Sequence, residues 1–200
     1  MCARLGIDVK LRMGRGFKAD AEKLSVDVRA ALKLQPHDRI PAETLAERMG
    51  FRVIEPSAIP GLSEGHLKVL TGDGKNNWSA VLIKAENGDG GLIINNPTHS
   101  PCRRESNIFH EISHDLCQHE PDEVINLGGL AVRSFSSEKE EQAERLGYAL
   151  HISRDALFWA AKRKLTRSGI AEHFCASEIL VRHRINSTAV ERILKRAIPT

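Results

Sequence analysis

Aromatic side chains are scarce in this 200-residue chain, 4% of the total, so its core has to be assembled mainly from Leu, Ile, Val and Ala. Cysteine is sparse as well. Cys2, Cys102, Cys117 and Cys175 form no C-x-x-C pair, and a chain of this size needs no disulfide staples, so they read as buried or incidental thiols. No apolar run approaches the roughly 20 residues that span a bilayer. Residues 1–18 carry Arg and Lys without the continuous apolar segment of a secretory signal, and the expected location is the cytoplasm. There is no internal repeat and no low-complexity tract. What is left is the composition of an ordinary soluble globular protein, 41% apolar and 28% charged, of a size that suits one domain or one domain with a small appendage.

A net charge of +3 is too small to argue for nucleic acid by itself, but it is unevenly spread. Residues 154–200 hold ten Lys/Arg against four Asp/Glu, a balance of +6 that leaves −3 on the first 153. Three stretches follow: a loosely ordered lead over 1–16, a main domain over 17–152 and a basic helical extension over 153–200.

Along the main domain, Ala21, Leu24, Val28, Ala31 and Leu32 recur at helical steps, and Pro36 should end that helix at about Leu34 or Gln35. Pro41 opens a short helix stopped by Gly50. Residues 51–54 alternate as a strand, 66–70 could form a second, and 78–83 is a stronger one. A turn cluster at 86–91 leads to a partner strand at 92–95. The expected fold class is α+β, with a small antiparallel sheet beside a long helix. Ser100 and Pro101 are an N-cap and a first helical residue for a helix reaching about Gln118. Residues 124–135 look irregular, with one short extended piece. Ser136 or Ser137 then caps a helix to about Leu150, rich in Glu where the helix dipole favours anions.

The helix from Ser100 carries His110-Glu111-Ile112-Ser113-His114, which spells H-E-x-x-H. Residues four apart lie one turn apart on one face, so the two imidazoles can converge on a metal ion. Glu111 stands beside them, where a carboxylate can take a proton from activated water. A polar helix face in a chain with nine His can also spell this pattern by chance, so a further ligand is required. A catalytic zinc site has three protein ligands and an open position. The glutamates at 138, 140, 141 and 144 begin the next helix, and Glu140 is favoured. One turn after it, Glu144 could accept the free N–H of a ligating histidine, whereas Arg145, one turn after Glu141, could not. Their alternative role is that of solvated glutamates at a helix start.

Taken together, His110-Glu111-x-x-His114 and Glu140-x-x-Ala143-Glu144-x-Leu146-Gly147-x-Ala149-Leu150 resemble the ImmA/IrrE family of metallo-endopeptidases, whose pattern is H-E-x-x-H followed by E-x-x-A-N/D-x-F-A. Asn96-Pro97-x-His99-Ser100-Pro101-x-Arg103 and Arg15-Gly16-Phe17-Lys18 add to the similarity, which covers about residues 15–190. It implies a zincin-like peptidase with His110, His114 and Glu140 as metal ligands and Glu111 as the base. The departures are Glu144 for Asn or Asp, Leu146 for Phe and Gly147 for Ala. Zinc is the expected metal; manganese or iron also suit two His and a carboxylate. The resemblance further implies a protein substrate, a helix-turn-helix repressor of stress, phage or mobile-element genes. An extended peptide could pair with the edge of strand 92–95 or 78–83. Tyr148, His119 and His99 are candidate donors to an oxyanion.

In the extension, Ser153 should cap a helix to about Leu165. Ile170-Ala171-Glu172-His173-Phe174, a turn at Cys175-Ala176 and a helix capped by Ser177 resemble a helix-turn-helix that would present Arg182, His183 and Arg184 to DNA. The competing and preferred reading is a helical unit packed against the peptidase. A last basic helix is expected over 191–197. The rival function is a DNA- or protein-binding regulator whose metal site is structural or degenerate.

Overall fold

Ser100 accepts a hydrogen bond from the Arg103 N–H at 3.4 Å, and Pro101, which has no N–H to satisfy, opens the helix around which the chain is arranged. The computed structural model describes residues 4–12, 14–85, 90–127, 130–188 and 190. The element order is α1 (Phe17–Ala31), α2 (Ala42–Arg48), β1 (Phe51–Ile54), α3 (Glu64–Thr71), β2 (Ala80–Lys84), β3 (Gly91–Asn95), α4 (Pro101–Leu116), β4 (Glu123–Leu127), β5 (Leu130–Ser134), α5 (Ser137–His151), α6 (Arg154–Lys162), α7 (Arg167–Phe174) and α8 (Glu178–Ser187). The fold is α+β. The turn expected over 86–89 and the basic helix expected over 191–197 lie outside the described residues. No helix among the described residues is long and apolar enough to cross a membrane.

The main sheet has the order β1-β3-β2. It is mixed rather than antiparallel: β2 runs antiparallel to β3, and β1 pairs with β3 in parallel, Phe51 opposite Gly91 and Ile54 opposite Ile94. The long connection from β1 to β2, which carries α3, lets β1 enter the far edge in the same direction as β3. Residues 66–70, expected as a strand, form most of α3, because Ser63 caps the His66 N–H and Leu67, Leu70 and Thr71 share one helical face. Residues 123–127 and 130–134 pair as two antiparallel strands instead of one extended piece, with Glu123 opposite Ser134 and Leu127 opposite Leu130. Gly128-Gly129 between two strand-like runs was the signal for it. Helix α1 stops short of Leu34: Lys33 takes the left-handed conformation, φ 60°, and the Leu34 N–H folds back to the Arg29 carbonyl at 2.8 Å.

One core joins Phe17, Leu24 and Val28 of α1, Leu45 of α2, Leu82 and Ile93 of the sheet, Phe109 and Ile112 of α4, and Leu146 and Leu150 of α5. It is aliphatic apart from three phenylalanines, Met49 and Cys117, as the composition demands. The lead is tied down rather than loose. Leu5, Ile7, Val9 and Leu11 pack against this core in strict alternation, and the Arg12 guanidinium grips the Asp20 carboxylate with two bonds of 2.7 and 2.8 Å.

A second cluster, Ile152 to Val190, gathers α6, α7 and α8 around Leu157, Phe174 and Val181. Charged groups join the two cores. Buried Arg29 of α1 donates to the carbonyls of Ser25, Asp38 and Leu150, while buried Arg184 of α8 donates to the Ile152 carbonyl and to Glu22 of α1 at 2.7 Å. Arg184 therefore faces inward and cannot contact a nucleic acid; Arg182 is exposed. The cysteines are not all incidental, since Cys102 in the first turn of α4 and Cys175 between α7 and α8 bring their sulfurs to 2.7 Å.

Helix α5 crosses α4 closely because Ala143 and Gly147 face it. A Cβ on Gly147 would lie 3.4 Å from the backbone at Phe109 and His110, the lower limit of ordinary contact. Gly147→Ala is therefore expected to be tolerated and to raise stability by up to about 1 kcal/mol through helix propensity. Gly147→Leu should force the helices apart and lose metal binding, which thermal melts and zinc titration would read together.

His151, fully buried at the end of α5, places its Nε2 2.9 Å from the Phe174 carbonyl, and burial lowers its pKa from 6.5 to about 4. The folded state keeps it neutral while the unfolded chain takes up a proton. Its contribution is thus complete above about pH 6.5 and is lost as pH falls to about 4, a change of at most about 3 kcal/mol. Denaturant titrations across that range should show a shallower pH dependence for His151→Gln.

Candidate metal centre

The rotation of α4 about its axis sets the first half of the site. Its apolar stripe, Ile108, Phe109, Ile112 and Leu116, faces the core, and this fixes the helix rotation that turns His110, Glu111 and His114 toward an open cleft of about 540 Å³. His110 Nε2 and His114 Nε2 lie 3.1 Å apart. Helix α5 brings the third group: Glu140 Oε2 is 3.1 Å from His110 Nε2 and 3.6 Å from His114 Nε2. Among the described residues these three form the group whose donor atoms could hold a metal ion.

The donor set fits zinc by its own geometry. A tetrahedral ion with ligands at about 2.0–2.1 Å has donor atoms separated by roughly 3.3–3.4 Å. The observed edges of 3.1, 3.1 and 3.6 Å describe one face of such a tetrahedron. The chemistry agrees, because two imidazole nitrogens and a carboxylate oxygen facing one another need either shared protons or a cation. His114 is held neutral: burial first, then the neighbouring His110 and His119, pull its pKa down to about 3. Its ring is clamped by Phe135, stacked at 4.0 Å.

Glu140 rather than Glu141 faces the histidines. Glu141 points to solvent and pairs with Arg145 on the following turn. Glu144 does not meet His110 or His114; its Oε1 accepts from the Tyr148 hydroxyl at 2.6 Å, and the helix face that carries both lies toward α8, where Tyr148 meets His183 edge-on. The position that Glu144 was expected to fill beside a ligand is taken by His119. Its Nδ1 lies 3.1 Å from His114 Nδ1, and its Nε2 lies 2.9 Å from Gln142 Oε1. Gln142 was overlooked; the only trace of this arrangement in the sequence is a third histidine five residues after His114.

Of the three candidate oxyanion donors, His119 alone lines the cleft, with both ring nitrogens engaged. Tyr148 is committed to Glu144. His99 is buried beside Asn107, whose amide nitrogen is 3.1 Å from His99 Nδ1, in a cluster that ties β3 to α4.

The wall opposite α4 is β2, the edge strand. The bonds from Asn96 N–H to Ser79 C=O and from Ala85 N–H to Gly90 C=O flank the β2–β3 ladder and set its alternation. Ala80, Leu82 and Lys84 consequently turn their backbone groups away from β3. The Leu82 N–H is taken at 3.0 Å by Glu111 Oε2, and Lys84 Nζ pairs with Asp115 at 2.6 Å, so the strand edge and the α4 face are joined at the base of the cleft. Trp78 and Asn77 continue the rim.

A helix-borne pair of histidines, a glutamate beside them and a carboxylate from the next helix, set in a cleft along a sheet edge, make up a candidate centre for metal-assisted hydrolysis. The family model of the IrrE N-terminal-like domain, peptidase M78, matches residues 42–186, and the chain belongs to that family, which places it among the metallopeptidases. The match runs through α6, α7 and most of α8, across the division expected at 152/153. No curated protein and no solved structure matches the chain.

Glu140→Ala is expected to abolish stoichiometric metal uptake and Glu141→Ala to leave it within about threefold of the parent, since an exposed ion pair of this kind contributes little. Isothermal titration with zinc measures both; equal losses would overturn the assignment of Glu140.

Proposed function

We propose that this protein is a zinc-dependent endopeptidase acting on a protein substrate in the cytoplasm. The observation that carries the reading is the triangle of His110, His114 and Glu140 donor atoms with Glu111 next to it in an open cleft. Two imidazole nitrogens and a carboxylate oxygen at this spacing suit zinc, the metal the family resemblance implies, and manganese or iron accept the same donor set. Bound there, the ion would polarise the scissile carbonyl and make water a competent nucleophile at neutral pH.

The chain's own groups supply the rest. Glu111 takes a proton from the attacking water on a carboxylate oxygen and delivers it to the nitrogen of the leaving amine, so that the carboxylate is regenerated. An extended segment of the substrate pairs with the outward backbone groups of Ala80, Leu82 and Lys84. When the incoming segment takes up the Leu82 N–H, Glu111 Oε2 is released from that bond, which couples docking of the peptide to availability of the base. Family resemblance points to a helix-turn-helix repressor as the substrate, cut to release stress, phage or mobile-element genes. The rival reading, a DNA- or protein-binding regulator, loses one of its three proposed DNA contacts, with Arg184 buried against Glu22.

Glu111→Gln separates the two readings. It should retain zinc with affinity close to that of the parent and lower the cleavage rate by about 10²–10⁴-fold. Cleavage of a protein substrate followed by gel and mass spectrometry, with metal content measured alongside, is the check; an unimpaired Gln variant would rule out the peptidase mechanism.

A further inference from the structure

His114 is a ligand only if its Nε2 carries a lone pair, and a neutral imidazole can place its single proton on either nitrogen. We propose that Gln142 and His119 form a relay that fixes this choice, holding His114 as its Nδ1–H tautomer with Nε2 open to the metal. This inference rests on the metal reading given above.

The proton assignments follow in order from contacts at the site. Gln142 Oε1, 2.9 Å from His119 Nε2, can only accept, so His119 carries its proton on Nε2. His119 Nδ1 then has a lone pair. Across 3.1 Å it can bond to His114 Nδ1 only if His114 Nδ1 is the donor, which leaves the lone pair of His114 on Nε2, facing His110 and Glu140.

The orientation of the Gln142 amide is itself set. Its nitrogen lies 3.3 Å from Glu138 Oε1, and a flipped amide would point its oxygen at that carboxylate. Turning the amide would thus cost two hydrogen bonds at once.

The backbone places His119 for this role. Gln118 takes the left-handed conformation, φ 54°, and the His119 N–H returns to the His114 carbonyl at 3.0 Å, folding the His119 ring back beneath its partner. Lys139 anchors the same loop to the first turn of α5 through the Glu120 carbonyl and Asp122, each at 2.8 Å. His114, His119 and Gln142 are all more than nine-tenths buried, so water does not compete for these bonds. Gln142 and His119 are positioning residues: neither belongs to the donor triangle, and in this relay they act through His114.

Two measurements on the full-length protein test the relay. The first is zinc affinity, by competition with a chromophoric chelator, for the parent, Gln142→Met and Gln142→Glu, the last combined with Glu138→Gln so that no second carboxylate faces it. Methionine keeps the length and loses the acceptor; glutamate keeps the acceptor. Loss of a partner behind a ligating histidine typically weakens metal by about 10- to 100-fold, so the Met variant should fall in that range and the Glu variant should recover most of the loss. Equal affinity in all three, or equal loss in both variants, would overturn the relay. The second is the imidazole tautomers of the metal-free parent at neutral pH, read from long-range nitrogen–proton correlation spectra. The expected result is Nδ1–H on His114 and Nε2–H on His119; Nε2–H on His114 would overturn the proposal even if both variants failed to fold. A parent protein that takes up no zinc while showing the expected tautomers would sink the metal reading and leave the hydrogen-bonded relay standing.

Discussion

The close crossing of α4 and α5 is the constraint on which the rest depends. The two histidines sit on one helix and the carboxylate on another, so the distance between helix axes decides whether three donor atoms meet. Ala143 and Gly147 present almost no side chain to α4, and the backbone of α5 comes to rest against Phe109 and His110. One turn before Ala143, Glu140 then arrives within 3.1 Å of His110 Nε2. Gly147, which stands where the resembling pattern has alanine, thus lies against the α4 backbone.

Around that crossing, the first turns of α5 carry several functions in consecutive residues. Glu138 orients Gln142, Lys139 fastens the loop that holds His119, Glu140 faces the cleft, and Glu141 stays in solvent with Arg145. Helical geometry makes this division possible, because residues one apart point about 100° away from each other and residues four apart share a face. Burial is divided in the same way. His114 is enclosed and held neutral as a ligand must be, while Glu140 and His110 reach into an open cleft where a substrate has room.

The C-terminal helices are bound to this body by charge as well as by apolar contact. Arg184 and Arg29 converge on the end of α5 and on Glu22, satisfying carbonyls that the meeting of helices would otherwise leave without donors. Buried guanidinium groups held by several acceptors are costly to separate, since removing one partner leaves the others desolvated. This accounts for a basic segment that folds onto the domain with one of its arginines turned inward.

Much was legible from the sequence because the signals were local. Spacing of four puts His110 and His114 on one face, serine and proline start α4, and alternating or helical periodicity located α1, β1, β2 and β3. The local signals failed where two periods competed, as in 66–70, where a short apolar run suits either a strand or a helix and the Ser63 cap decides. They also failed at the lead, whose alternation at Leu5, Ile7, Val9 and Leu11 was present but passed over. Glu140, preferred because Glu144 follows it by one turn, does face the histidines, but Glu144 turns to Tyr148, and His119 with Gln142 stands beside His114. The sequence by itself determined the donor types and the face they share, because both depend on residues within one helical turn. Only the tertiary structure decided which carboxylate meets them, which group stands behind His114 and which arginine is buried, because those depend on how closely separate helices pack and on where a left-handed turn at Gln118 sends the chain.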